Sequence, residues 1–223
     1  MKNNNTVSVS FMLLGILFCV CLVAANLLET KVVQIWKITA TAGLVVFPIS
    51  YIINDCIVEV YGFRKARTVI WLGFAMNLLV TLFLQFAILL PGADSWQSQD
   101  AMEAVYGTVP RILGASFVAF LCGSMVNALV MSKMKVASGG RHFSLRAIVS
   151  TLWGEGTDSI IFFPLAFGGI LPWREIVSLI VAQALLKTAY EIVILPVTLK
   201  VVKKLKSIES TDTYDRGISY SWW

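Results

Sequence analysis

Apolar residues fill six long runs of this chain, and short polar segments separate them. A helix needs about 20 mostly apolar residues to cross a bilayer. Windows at 7–28, 40–60, 66–90, 111–131, 147–170 and 174–199 meet that length. The pattern predicts an all-α integral membrane protein with six transmembrane helices. The first window differs from a signal peptide: its apolar stretch is long, Lys2 is its only leading charge, and the next span follows closely. It is expected to be retained. The 91–110 segment opens Pro91-Gly92-Ala93-Asp94 and carries Trp96 and Tyr106, residues that favour a membrane interface. It is expected to form a short amphipathic external element. Past Ile208 the chain turns polar and reads as a flexible cytoplasmic tail over 208–223, with Trp222 and Trp223 resting at the lipid surface. No Pro/Gly/Ser-rich linker divides the chain, so residues 1–223 are read as one membrane domain.

The loops orient the spans. Arg64, Lys65 and Arg67 lie in the 61–67 turn after the second window, and Lys133, Lys135, Arg141 and Arg146 in the 132–146 loop between the fourth and fifth. Lys200, Lys203, Lys204, Lys206 and Arg216 follow the sixth. With Lys2 these make 13 of the 18 basic residues on one side. The other side has Lys31, Lys37, Arg111 and Arg174, together with Asp94, Asp100 and Glu103. The positive-inside rule places both termini in the cytoplasm, as an even number of spans requires. The chain is 57% hydrophobic and 14% charged, where a soluble domain carries about a quarter charged residues. The net charge of +5 therefore does not point to nucleic acid, because the basic residues sit in short loops rather than on one solvated stripe. Cys19, Cys21, Cys56 and Cys122 lie in apolar runs without CxxC spacing and read as small buried hydrophobes. His142 is a lone loop histidine. No HExxH, GxSxG or GxxxxGK[ST] occurs, so no catalytic residue, metal or cofactor is expected.

Six charges interrupt the apolar windows: Asp55, Glu59, Glu155, Asp158, Lys187 and Glu191. Each costs about 3 kcal/mol or more in hydrocarbon. Rise per residue sets Asp55 level with Lys187, roughly 21–22 Å from the outer helix ends, and Glu59 level with Glu191, roughly 27–28 Å down. Glu155 and Asp158 fall closer to the midplane. Asp55 and Glu59 share a face at i,i+4, as do Gln183, Lys187 and Glu191, and Glu155 and Asp158 are i,i+3 neighbours. One lysine neutralises one carboxylate, so an ion-paired glue between helices leaves four unpaired. A polar cavity for a polar ligand is the better reading, with Asp55 paired to Lys187. Glu59, near the inner interface, is its weakest member. Pro48 and Pro164 are expected to interrupt the second and fifth helices, as at transporter binding sites. Gly154 and Gly156 flank Glu155 and let a backbone or ligand approach. Asn26, Asn77, Gln85 and Asn127 are either interhelical glue or ligand contacts. Tyr51, one turn before Asp55, and Trp153, beside Glu155, are candidate stacking platforms.

These residues resemble a known family. Phe47-Pro48-x-x-Tyr51-x-x-x-Asp55-x-x-x-Glu59-x-Tyr61-Gly62-x-Arg64-x-Ala66-Arg67 is similar to the signature of the queuosine precursor transporter family, also called the vitamin uptake transporter family. Further matches are Ala25-Asn26-Leu27, Arg111-Ile112-x-x-Ala115-Ser116-x-x-Ala119-Phe120, Ser150-Thr151-x-x-Gly154-x-x-x-Asp158-Ser159, and Lys187 followed by Leu195-Pro196. The match is firmest at Asn26, Asp55, Asp158 and Lys187. The resemblance implies inner-membrane uptake of a 7-deazaguanine base such as preQ0, preQ1 or queuine. It also implies a six-helix fold like the substrate-binding subunit of energy-coupling-factor transporters. A guanine-like base presents N1–H and a 2-amino group that one carboxylate accepts together. Asp158 or Glu155 is expected to read that edge. Asn26, Asn127 or Lys187 would donate to the exocyclic oxygen, Tyr51 or Trp153 would stack, and Glu191 lines the same face. The expected partners are the base and the bilayer; a homodimer is allowed and nucleic acid is not expected. Three rivals stand beside this reading. One is a binding subunit that needs a separate ATPase, against which the first helix offers only Gly15-x-x-x-Cys19 for docking. Another is an intramembrane acid–base enzyme. The third is a cation transporter, for which several carboxylates would suffice, though the neighbouring aromatic residues and the family resemblance count against it.

Overall fold

In a computed structural model, the described residues are 7–29, 31–35, 38–93, 95–107, 110–169 and 171–220. Six long helices and one short one account for most of them. The long ones are α1 (Val9–Glu29), α2 (Phe47–Tyr61), α3 (Phe63–Leu89), α5 (Pro110–Ser138), α6 (Phe143–Phe167) and α7 (Trp173–Glu209). The short one, α4 (Gln99–Met102), runs into a π turn at Glu103–Gly107. Among the described residues, five segments are long and apolar enough to cross a membrane: Val9–Leu28, Ala42–Tyr61, Phe63–Leu89, Gly114–Ser138 and Trp173–Glu209. The helix α6, which carries Glu155 and Asp158, is not among them. The lipid-facing pattern is plain on α3, where Phe83, Phe86 and Leu89 are 63%, 62% and 80% exposed; a water-soluble surface does not carry so large an apolar patch.

The structure departs from the expected windows in four places. The stretch before α2 is not helical from residue 40. It holds an antiparallel hairpin, β1 (Val32–Ile35) with β2 (Ile38–Thr41), followed by a 3-10 turn at Ala42–Val45. The β-branched run of Val32, Val33, Ile35, Ile38, Thr39 and Thr41 is the cause. Pro48 therefore starts α2 rather than breaking it, as its missing N–H is tolerated in a first turn. Pro164 does lie inside α6. Both α5 and α7 continue past the apolar windows, so Lys133, Lys135 and Lys200 to Lys206 lie on helix rather than in loops. The segment after Glu209, expected as a flexible tail, packs back on the bundle. Buried Asp215 accepts from the Phe63 N–H at 2.8 Å and from Ser132 Oγ at 2.5 Å, and Tyr220 sits edge-on to Phe63. The calls on Lys2, Lys37, Asp94, Trp222 and Trp223 fall outside the described residues.

The sharp corner between α2 and α3 is made by Gly62 at φ +86°, a conformation that only glycine adopts freely. A Cβ there would lie 2.7 Å from Asp215 Oδ1. The core joins Phe18 and Leu22 of α1, Phe47, Tyr51 and Ile57 of α2, Phe63 and Ile70 of α3, and Phe120, Met125 and Met131 of α5. The 91–107 stretch caps α3, with Gln85 Nε2 donating to Tyr106 O at 2.7 Å and Gln99 Nε2 to Ile88 O at 3.1 Å.

Candidate functional site

The helix α6 turns one polar face inward. Ser150, Thr151, Gly154, Glu155, Asp158 and Ser159 are all buried on it. Their spacing of three and four places them on one stripe, and apolar Leu152, Ile160 and Leu165 face outward. Trp153 goes outward with them and is 62% exposed. It stands two residues from Glu155, roughly 200° round the helix, so the expected stacking role is corrected: its ring does not face the carboxylates.

Lys187 of α7 reaches this stripe. Its Nζ lies 2.8 Å from Glu155 Oε2, donates to Asp158 Oδ2 at 3.5 Å, and stands over the Phe47 ring, 3.9 Å from the centroid. The expected Asp55–Lys187 pair is thereby corrected. Equal depth is not contact, and the two α6 carboxylates lie nearer to the ammonium. Asp55 is fully buried, takes a hydrogen bond from Ser150 Oγ at 3.4 Å, and touches Asn127 and the carboxyl of Glu191.

Amides link the helices around this centre. Asn54 Nδ2 donates to Asn127 Oδ1 at 2.8 Å and to Ser124 O at 3.3 Å, and Asn127 Nδ2 donates to Thr151 Oγ1 at 3.4 Å. Asn127 thus joins α2, α5 and α6. Asn26 accepts from Ser116 Oγ at 2.6 Å and ties α1 to α5. Tyr51 wedges where α5 and α6 cross at Gly123 and Gly154. A Cβ on Gly154 would lie 2.8 Å from Tyr51 Cε1, and one on Gly123 would lie 2.5 Å from its hydroxyl. That hydroxyl lies beside Ser124, Glu155 and Asp158 without a well-formed hydrogen bond. Phe47 and Phe120 continue the aromatic wall from Tyr51.

Many of the polar atoms gathered here find no partner. Tyr51 OH, Asn54 Oδ1, Asp55 Oδ2, Glu155 Oε1, Ser159 Oγ, Gln183 Oε1 and both Glu191 oxygens are buried without a hydrogen bond. Orphaned buried acceptors are costly. Most of these atoms accept, so the arrangement suits a ligand rich in N–H donors beside an aromatic face. Sequence reasoning did not single out Asn54 or Ser124, and named Phe47 and Ser116 only within the family signature. Asn54 carried a usable signal, since it adjoins Asp55 in an apolar helix.

Glu59 does not belong to this centre. It is buried at the C-terminal end of α2, where Arg146 Nη1 bonds Oε2 at 2.6 Å and Lys206 Nζ bonds Oε1 at 2.5 Å. Lys135 lies 3.7 Å from Oε1, donates to the Glu59 carbonyl, and bonds Asp212 Oδ1 at 2.5 Å. Partial burial pushes the Asp212 carboxyl up, but hydrogen bonds from Lys135 and Lys206 outweigh it and hold the group below the usual carboxylate range. Among the described residues, no three His, Cys, Asp or Glu side chains converge as a metal site.

Residues 41–201 match the family described as "Putative vitamin uptake transporter". The chain belongs to this family. Among the relatives of this vitamin uptake transporter family member is the "Probable queuosine precursor transporter" of Bacillus subtilis (strain 168). It is 33% identical over 175 residues, 78% of this chain and 76% of that protein. The "Queuosine precursor transporter" of Escherichia coli (strain K12) is 27% identical over 162 residues, 73% of this chain and 68% of that protein. The family match spans α2, α3, α5, α6 and most of α7, so every residue of the polar centre except Asn26 lies within it. No solved structure matches the chain.

Proposed function

We propose that this chain takes up a queuosine precursor base of the 7-deazaguanine type across the cytoplasmic membrane. The observation that carries the reading is the acceptor-rich centre around Glu155, Asp158 and Lys187, in a chain whose curated relatives are named queuosine precursor transporters. The base offers N1–H and 2-amino donors to Asp158 and Glu155. Lys187, beside both carboxylates, donates to the exocyclic oxygen. Tyr51 and Phe47 supply the flat apolar face. Asn127 and Asn26 hold the helices that carry these groups.

The reading includes six crossings with both termini cytoplasmic. The sixth crossing is α6, whose 25 residues span roughly 37 Å. Its polar stripe is covered by α5 and α7, and its outward face is apolar, which is how a helix with two carboxylates lies in a membrane. This is the arrangement expected of substrate-binding subunits of energy-coupling-factor transporters, and co-purification with an ATPase is the test of that kinship.

The functional test uses a strain unable to make its own precursor. Queuosine content of tRNA is measured with and without this gene while preQ0, preQ1 and queuine are fed in turn. Gene-dependent queuosine with at least one base is expected. Equal queuosine in both strains with every base sinks the reading.

A further inference from the structure

The mechanism proposed above uses Lys187, Glu155 and Asp158 and leaves Asp55 and Glu191 unexplained. Asp55 is fully buried and Glu191 is 2% exposed. Their side chains come from helices that pack together, α2 and α7, and their carboxyl groups lie beside one another. Asn127 lies beside Asp55 and Thr151 beside Glu191, yet Asp55 Oδ2 and both Glu191 oxygens are buried without a well-formed hydrogen bond. Two adjacent buried carboxylates only accept and repel each other when both are ionised; a proton between them supplies a donor and removes the repulsion.

Among the described residues, no salt bridge reaches Asp55 or Glu191, and Lys187 has Glu155 and Asp158 at 2.8 and 3.5 Å. Among the described residues, the other titratable groups beside the pair are Tyr51, Cys56 and Glu59 on α2 and Glu155 on α6. The helix α5 meets the pair with an amide, Asn127. Glu59 is neutralised by its own cations at the C-terminal end of α2. A neighbourhood of like charges disfavours a doubly ionised pair further.

We propose that the Asp55–Glu191 pair is a proton-binding site and that uptake of the base is coupled through it to the entry of a proton. The inference rests on the transporter reading. Open to the outside, the two hydrated carboxylates carry two negative charges. One proton joins them as the site closes around the base. The same proton leaves to the cytoplasm as the site opens inward, so the pair returns to its starting charge.

The test uses purified full-length protein in liposomes, with potassium and valinomycin holding the potential at zero. Uptake of radiolabelled preQ0 is followed with an outside pH one unit below the inside. Accumulation of about tenfold over the outside concentration is expected, since one pH unit is a tenfold proton gradient. A lumenal pH dye should report acidification when preQ0 is added. In Asp55→Asn and Glu191→Gln, whatever exchange persists should no longer respond to the gradient. Where a variant fails to fold, the wild-type accumulation ratio and dye signal decide alone. Equilibration without accumulation at every pH gradient, or accumulation driven by sodium instead, overturns the coupling and leaves the transporter reading standing. No preQ0 entry or exchange under any condition removes that reading and the coupling with it.

Discussion

Lys187→Met takes away the ammonium that stands 2.8 Å from Glu155 and 3.5 Å from Asp158. Both carboxylates stay behind in a buried site, the case in which breaking an ion pair costs about 3–5 kcal/mol. For a chain of this size each kcal/mol moves the melting temperature by about 2–4 °C. A fall of roughly 6–20 °C is expected on thermal unfolding of the purified protein in detergent. The identity of the partner is tested by second-site changes. Glu155→Gln added to Lys187→Met removes the nearer stranded charge and should recover roughly 2 kcal/mol, within the range of contacting pairs. Asp55→Asn added to Lys187→Met touches no salt bridge of Lys187, so the two effects should add to within about 0.5 kcal/mol. Rescue by Asp55→Asn that equals or exceeds rescue by Glu155→Gln would refute the pairing seen here.

Two further outcomes follow from close packing and from the charges around Glu59 and Asp212. Gly154→Ala puts a Cβ 2.8 Å from both Asn127 Cβ and Tyr51 Cε1, and overpacking of this kind costs about 1–3 kcal/mol; an unchanged melting temperature contradicts the α5–α6 approach. The Asp212 carboxyl is held below its usual range by Lys135 and Lys206, so its stabilising effect is present above the unfolded-state value and is lost as pH falls through the folded-state value. Hydrogen exchange of residues 211–220 should therefore speed up on acidification in the wild type. In Asp212→Asn it should be fast already and less sensitive to pH; identical pH profiles contradict the tie.

The long helices and the inward polar faces were legible because membrane spans and i,i+4 spacing both write themselves along the chain. Asp158, Glu155 and Lys187 meet as the face analysis suggests. The choice of partner for Lys187 was not legible, since depth along a helix says nothing about rotation between helices. Trp153 shows the same limit: adjacency in sequence to Glu155 placed it on the opposite side of α6. The hairpin before α2 was readable from its β-branched residues, but the apolar window masked it. The packing of Asp215 on the α2–α3 corner depends on a contact across more than 150 residues with the Phe63 N–H, and no local pattern announces it.

The central claim is that Asp158, with Glu155, reads the donor edge of a transported deazaguanine base. Saturable uptake of radiolabelled preQ0 by liposomes containing the purified protein, compared with Asp158→Asn, tests it most directly. Asn puts a donor where an acceptor is needed, which costs about 1–3 kcal/mol, so apparent affinity should fall by about tenfold or more. A hypoxanthine-like competitor that lacks the 2-amino group should lose less. Wild-type uptake no greater than that of empty liposomes, or unchanged preQ0 affinity in Asp158→Asn, would contradict the account.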